Sequence, residues 1–145
     1  MRFRRTGWLA ALLGVLFAGT LSAAEPEAGY KVAKTIEVGG DGGWDYLIVD
    51  APARRLYVSR STRVMVFDAD TGKPAGEIPD TEGVHGIALA PDLGRGFTSN
   101  GRSSTITVFD LKTLKTLDRI KSTGENPDAI LYDAPTHRVF AFNGR

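Results

Sequence analysis

The sequence contains no cysteine in its 145 residues. Disulfides, thiol catalysis and thiolate metal sites are therefore excluded. Gly-x-Ser-x-Gly and His-x-x-x-His motifs are also absent, and the Gly-rich stretch at residues 39–43 lacks the Gly-Lys-Ser/Thr of a phosphate-binding loop. A calcium loop starting at Asp68 fails because Lys73 and Pro79 stand where Gly and Glu are needed. No segment has a helical period over a useful length.

The first 24 residues have the layout of a secretory signal peptide. Three arginines in the first five residues precede an apolar run at residues 8–21, and small residues follow at 22–24. An uncleaved membrane anchor is the alternative, but the run is shorter than the roughly 20 residues a spanning helix needs. We therefore expect a periplasmic or secreted bacterial protein with no transmembrane segment after cleavage. The sequence leaves general secretion and twin-arginine export both open.

Charge is nearly balanced. The chain has 18 basic and 17 acidic residues. Three of the basic residues and none of the acidic ones lie in the predicted signal, so residues 25–145 carry 15 against 17, a net charge of −2. Bulk charge therefore gives little support to nucleic-acid binding.

One stretch occurs twice. The run at residues 64–68, Val-Met-Val-Phe-Asp, returns at residues 106–110 as Ile-Thr-Val-Phe-Asp, with Phe67 and Phe109 separated by 42 residues. Isoleucines near position 36, 78 and 120 have the same spacing. A period of 40–45 residues is typical of propeller blades. We therefore divide the predicted domain, residues 25–145, into repeats at about 36–77, 78–119 and an incomplete 120–145.

Each complete period predicts four short strands separated by turns. The nearly continuous apolar runs at residues 46–50, 86–90 and 129–133 are predicted to be innermost, lining a central channel. The charged strands near the three isoleucines, including one at residues 32–38, are predicted to be outermost. Asp68 and Asp110 are interpreted as residues that make turns.

The fold class predicted is all-β, a β-propeller of four-stranded antiparallel blades. About two and a half blades are present, and we expect them to be part of a seven-bladed ring. The chain stops at Arg145, short of the next Val-x-Val-Phe-Asp expected near position 150. We therefore expect a fragment of a longer protein whose remaining blades complete the ring, and assembly of several copies is the alternative.

Two sets of turn residues are predicted to ring one mouth of the channel, because alternating strands return to the same rim. Asp45, His85 and Asp128 occupy equivalent positions before the inner strands, and Asn100, Arg102, Asn143 and Arg145 follow the second strands, as do Arg60 and Ser61. The first three are the candidate metal ligands, and the arginines are candidate anion contacts. The alternative for each Asp and Asn is turn capping.

Two further residues receive weaker predictions. His137 lies in a turn on the opposite rim, where we expect no functional role. Trp44 precedes the first inner strand and could stack on a ligand, but burial between blades is the preferred interpretation.

The tetrapeptides at residues 57–60, 97–100 and 140–143, together with Ala90-Pro91-Asp92 and Val108-Phe109-Asp110, resemble the repeat of YVTN-family β-propeller proteins. The resemblance covers residues 36–145, although no copy reads Tyr-Val-Thr-Asn and the first lacks the final Asn. It implies a WD40-like propeller. Proteins that resemble this repeat are often non-enzymatic or of undefined activity, and single-stranded DNA binding occurs within the family.

The preferred function is a binding or scaffold module of the periplasm or cell envelope, with a protein or small-molecule ligand at the channel mouth. The alternatives are a propeller enzyme, either a metal-dependent lactonase-like protein or one similar to the heavy chain of quinoprotein amine dehydrogenases, or single-stranded DNA binding. No cofactor is evident, and a divalent metal is the candidate in the complete protein.

Overall fold

Ten antiparallel strands form three sheets in a computed structural model that describes residues 29–145. The predicted signal peptide at residues 1–24 lies outside the described residues. The strands are β1 (Leu47–Asp50), β2 (Arg55–Arg60), β3 (Arg63–Asp68), β4 (Pro74–Ile78), β5 (Val84–Ala90), β6 (Arg95–Asn100), β7 (Thr105–Asp110), β8 (Thr116–Lys121), β9 (Pro127–Asp133) and β10 (Arg138–Asn143). Two short 3-10 turns, Pro91–Leu93 and Ala134–Thr136, follow β5 and β9.

The sheet order follows the chain order. Blade 1 is β1-β2-β3-β4, blade 2 is β5-β6-β7-β8, and β9 and β10 form a two-stranded hairpin. The predicted inner strands are the first strand of each sheet, and the charged strands β4 and β8 are the last. These outer strands, β4 and β8, straddle the predicted repeat boundaries at residues 77/78 and 119/120. The chain is a β-propeller array of four-stranded antiparallel blades.

The predicted outer strand at residues 32–38 does not form. Residues 29–46 contain no strand, because residues 29–45 pair with none of the ten strands. Residues 36–145 make up the unit that carries every strand, and residues 29–35 belong to a second unit with no helix or strand in its described part. Over residues 29–145, no helix is long and apolar enough to cross a membrane.

The apolar core lies between neighbouring sheets. One cluster joins blade 1 to blade 2, with Tyr57 and Phe109 fully buried and their ring centroids 6.1 Å apart. A second cluster joins blade 2 to the hairpin through Ala88, Ile106 and Ile130. Blade 2 is thus covered on both faces, and β5 is the most buried inner strand because it packs against β9 as well as β1 and β2.

The repeated Phe-Asp element is the third strand of a blade and its closing turn, and its turn role is confirmed. Asp68 Oδ1 accepts hydrogen bonds from the amides of residues 70 and 71 and the Thr71 hydroxyl. Asp110 Oδ1 does the same with residues 112 and 113 and the Thr113 hydroxyl. The identical pattern explains why Asp and Thr recur three residues apart.

Gly96 is required by its cross-strand partner. It pairs with Phe109 in the β6–β7 register, and a Cβ at this position would lie 2.1 Å from Phe109 Cζ. The aromatic ring therefore lies over the bare backbone of β6. This close approach lets Phe109 reach full burial between the two blades.

Candidate functional site

Asp45, His85 and Asp128 meet at one mouth of the array. Each offers one ligand atom, and these atoms lie within 4.8 Å of one another. His85 Nδ1 is 2.6 Å from Asp45 Oδ2. The three residues come from blade 1, blade 2 and the hairpin respectively, so the cluster spans both blade seams. We call this group the His85 cluster.

The strands hold the cluster through local irregularities. The β5–β6 register shifts between Val84 and Ile87, which is a bulge at His85. Beside it, Ser99 accepts a hydrogen bond from the Gly86 amide at 2.9 Å. The Ser99 hydroxyl also donates to the Asp128 carbonyl. Ser99 thus connects the β5 bulge to the start of β9 and fixes the spacing between His85 and Asp128.

Electrostatics favour the protonated form of His85. The hydrogen bond to Asp45 is the main reason that the His85 pKa is raised, and the charges of Asp128 and Asp45 add to it, while partial burial opposes the shift. His85 is half-buried, and both carboxylates are exposed. Two carboxylates around one imidazole create a local negative potential, which favours a cation.

Gly101 and Asn126 complete the surroundings of His85. A Cβ on Gly101 would lie 2.6 Å from His85 Nε2 and 2.4 Å from Asn126 Oδ1, so only glycine leaves room for both side chains. Asn126 adopts a left-handed backbone with φ of 53°, and hydrogen bonding to it also raises the His85 pKa. Asn126 was missed by the sequence argument, although its Asn-Pro turn precedes β9 where the repeat predicted a rim.

A cavity of about 410 Å³ lies beside this group. It is lined by Gly101, Arg102, Ser104, Glu125, Asn126 and Arg145. Gly101 and Asn126 are shared with the surroundings of His85, so the cavity adjoins the cluster. The two arginines predicted as anion contacts line the same cavity, and Glu125 partly offsets their charge.

Asn100 ends β6 at this mouth, but its side chain does not open onto it, contrary to prediction. Its side chain is fully buried, Nδ2 donates to Thr107 and Thr105 at 2.8 and 3.1 Å, and Oδ1 accepts from Thr98 at 2.8 Å. These bonds use the amide inside blade 2, so Asn100 has no free group for a ligand. Asn143, at the equivalent position, is exposed and accepts a hydrogen bond from Ser122 at 2.6 Å.

Arg60 and Trp44 also depart from the positions predicted for them. Arg60 is buried, and its Nη2 donates to the carbonyls of Gly39 and Gly40 at 3.0 and 2.6 Å. It therefore holds the Gly-rich segment and does not face a ligand. Trp44 is 76% exposed, so its predicted burial between blades is wrong. Residues 29–46 form no strand that could cover it.

A second group of polar side chains meets at the opposite mouth, at the other ends of β5 and β9. It consists of Asp92, Tyr132 and His137. The sequence pattern predicts His137 on this rim without a role. Its two partners were not singled out, because neither a phenol nor a carboxylate recurs at the equivalent positions of the other rounds.

Similar folds occur among solved structures. No family model and no curated protein matches the chain. Hydrazine synthase of Kuenenia stuttgartiensis matches with a TM-score of 0.65 and 21% identity over 79% of this chain and 33% of that one. The WD40 repeats of RRP9 match with a TM-score of 0.64 and 14% identity over 71% and 33%. AztD of Citrobacter koseri matches with a TM-score of 0.55 and 17% identity over 72% and 28%.

The likeness supports a propeller fold of WD40-like repeats. The chain spans about one third of the length of these structures. One of them is an enzyme by name and another a set of WD40 repeats, so the shared fold does not distinguish catalysis from binding.

Proposed function

We propose that this protein is an exported binding module of the YVTN-repeat type, which binds a divalent metal ion at the channel mouth through the His85 cluster. The observation that carries the proposal is the convergence of Asp45, from the segment before β1, with His85 of β5 and Asp128 of β9. Export to the periplasm or cell envelope is supported by the amino-terminal pattern at residues 1–24.

The donor set suits a borderline cation such as Zn²⁺. One imidazole nitrogen and two carboxylate oxygens are ligands that zinc accepts, with bonds of about 2.0–2.2 Å. Four-coordinate zinc places its ligand atoms roughly 3.3–3.5 Å apart. The observed spread of up to 4.8 Å closes by rotation of Asp45 and Asp128, whose side chains are exposed. The same cation would neutralise the two carboxylates.

Zinc titration of the full chain by calorimetry tests the proposal. We expect one site that is lost in His85→Asn and weakened at least about tenfold in Asp128→Asn. Asp118→Asn, an exposed acid on the outer strand β8, is the matched control and should bind like the wild type. Equal zinc binding by wild type and His85→Asn would rule the site out.

A metal-dependent hydrolase of the lactonase-like kind is the second candidate. It is favoured because three protein ligands leave a coordination position open, as catalytic zinc sites do. The adjoining cavity of about 410 Å³ carries Arg102 and Arg145, which suit an anionic substrate. Lactone hydrolysis that appears with zinc and disappears in His85→Asn would favour this candidate, whereas zinc binding without hydrolysis would favour the binding module.

A further inference from the structure

A second cavity, of about 440 Å³, lies at the seam between blades 1 and 2. Its lining comes from the turns that follow β1, β5 and β7, so it opens at the mouth opposite the His85 cluster. The volume falls within the roughly 300–1,000 Å³ that is usual for sites of small molecules. We call this space the Asp50 cavity, after the buried acid in its lining.

Asp50 is buried without a full set of partners. It ends β1 opposite Arg55 in the β1–β2 register, and only 7% of it is exposed. Its Oδ1 accepts a hydrogen bond from the Ala53 amide at 3.0 Å, whereas its Oδ2 accepts none from residues 29–145. Burying a carboxylate is costly unless hydrogen-bond donors or a cation compensate it. Asp50 therefore offers one carboxylate oxygen to a donor from a ligand.

Arg55, the cross-strand neighbour of Asp50, is engaged elsewhere. Its Nη1 donates to the Leu111 carbonyl, and its Nη2 donates to the Lys112 carbonyl at 3.4 Å. These bonds draw the guanidinium group across the seam onto blade 2, and it forms no ion pair with Asp50. Arg55 therefore joins the two walls of the cavity and leaves the Asp50 carboxylate without a paired cation.

The rest of the lining defines the class of ligand. The Lys112 side chain is exposed and makes no hydrogen bond or ion pair with residues 29–145, so its ammonium group can bind an anion. The lining contains two acidic and two basic residues, and a ligand without net charge complements that balance. Apolar surface is supplied by Pro52, Ala53, Pro91 and Leu111. A suitable ligand thus combines an ammonium group, a carboxylate and an apolar part.

We propose that the Asp50 cavity binds a zwitterionic α-amino acid with an apolar side chain. The ammonium group of the ligand donates to Asp50 Oδ2, and its carboxylate accepts from the Lys112 ammonium group. The side chain of the ligand lies against Leu111 and the two prolines, where burial of apolar surface adds to the affinity. Binding is noncovalent and does not involve the metal proposed at the other mouth.

Calorimetric titration of the full chain with L-leucine, without added metal, tests the proposal. We expect one site on the wild-type protein. N-acetyl-L-leucine lacks the ammonium group and should bind at least about tenfold more weakly, since a hydrogen bond to a buried charge is lost. L-leucinamide lacks the carboxylate and should bind about threefold more weakly, since Lys112 is exposed. These comparisons use only wild-type protein, so they do not depend on the folding of a variant.

Matched variants identify the residues that bind the ligand. Asp50→Asn keeps an acceptor for the Ala53 amide and should weaken leucine binding at least about tenfold. Lys112→Gln should weaken it about threefold. Asp133→Asn changes the acid that ends β9 opposite an arginine, as Asp50 ends β1, and Lys115→Gln changes an exposed lysine of the same turn. Both lie outside the cavity lining and should bind leucine like the wild type.

His85→Asn separates this site from the proposed metal site, because it should lose zinc and keep leucine binding. The proposal is overturned if the wild-type protein does not bind L-leucine, or if Asp50→Asn binds it as tightly as the wild type. Equal affinity for L-leucine and N-acetyl-L-leucine would overturn it as well.

Discussion

At each mouth of the array a histidine pairs with an aspartate, but the third polar residue differs between the two mouths. At one mouth His85 faces Asp45 across the seam between blades 1 and 2. At the other, His137 faces Asp92 across the seam between blade 2 and the hairpin. In each pair Nδ1 faces a carboxylate from the preceding blade. The third partner is a carboxylate, Asp128, at the first mouth and a phenol, Tyr132, at the second.

This difference determines what the first mouth can bind. Two carboxylates and an imidazole suit a divalent ion, and their ligand atoms are spread over up to 4.8 Å. At the second mouth Tyr132 Oη donates to Asp92 and lies 3.0 Å from His137 Nδ1, so the polar atoms already bond one another.

The largest expected effect is on stability and concerns Asn100, whose side chain is buried inside blade 2 beside the first mouth. Asn100→Ala leaves the hydroxyls of Thr98 and Thr107 without their buried partner, and we expect a loss of about 2–4 kcal/mol in the free energy of unfolding. Asn143→Ala, at the exposed equivalent position, should change it by less than about 0.5 kcal/mol. Urea unfolding measures both. Similar losses in the two variants would contradict the buried role of Asn100.

The sequence repeat explains why the first mouth and the order of the strands could be predicted. Alignment of the repeats on their inner strands places Asp45, His85 and Asp128, which are 40 and 43 residues apart, at the same point of successive blades. Equivalent points of a propeller share a rim. The inner strands, the outer strands β4 and β8 and the Asp turns follow from the same pattern. What the pattern cannot show is the depth at which each side chain lies. Asn100 and Asn143 align in sequence, but a second blade covers only the first of them.

The group of Asp92, Tyr132 and His137 could not be predicted from the repeat for a related reason. The residues equivalent to Tyr132 in the β5 and β1 strands are Leu89 and Val49, so the position is apolar in the other rounds. The Tyr132 hydroxyl contacts His137 within the hairpin and donates to Asp92 in the neighbouring blade. Contacts between non-equivalent positions depend on how blades are rotated against one another, which the sequence period leaves unspecified. The outer strand predicted at residues 32–38 was wrong, because none of the sheets in residues 29–145 pairs with that segment.

An intermediate effect is expected at the seam below the second mouth. Arg55 Nη1 donates to the Leu111 carbonyl, and Nη2 donates to the Lys112 carbonyl at 3.4 Å, which joins blade 1 to the outer turn of blade 2. Arg55→Ala should cost about 1 kcal/mol of unfolding free energy, since the bonds are charged but partly exposed.

Arg95 is the matched control for Arg55. It occupies the equivalent place at the start of β6 in blade 2 and is exposed, and its side chain makes no hydrogen bond or ion pair with any residue from 29 to 145. Thermal unfolding of Arg95→Ala should resemble the wild type within about 0.5 kcal/mol. A cost as large as that of Arg55→Ala would show that the seam bonds contribute nothing specific.

The smallest effect concerns the protonation of the first mouth. Because the Asp45 hydrogen bond is the main cause of the raised His85 pKa, Asp45→Asn should lower that pKa more than Asp128→Asn does. Proton NMR can follow this, since the chain has only two histidines, and His85→Asn assigns the signal. Asp118→Asn should leave the titration unchanged.

The sign of the accompanying stability change follows from the direction of the shift. A folded-state pKa above the unfolded value of about 6.5 means that the His85–Asp45 pair contributes its full stabilisation below that pH. The contribution disappears as the pH rises through the folded pKa, so Asp45→Asn should destabilise the protein more in acid than in base. Zinc competes with the same proton, and its affinity should therefore fall as the pH drops through the His85 pKa. A zinc affinity that stayed constant across that range would place the metal away from His85.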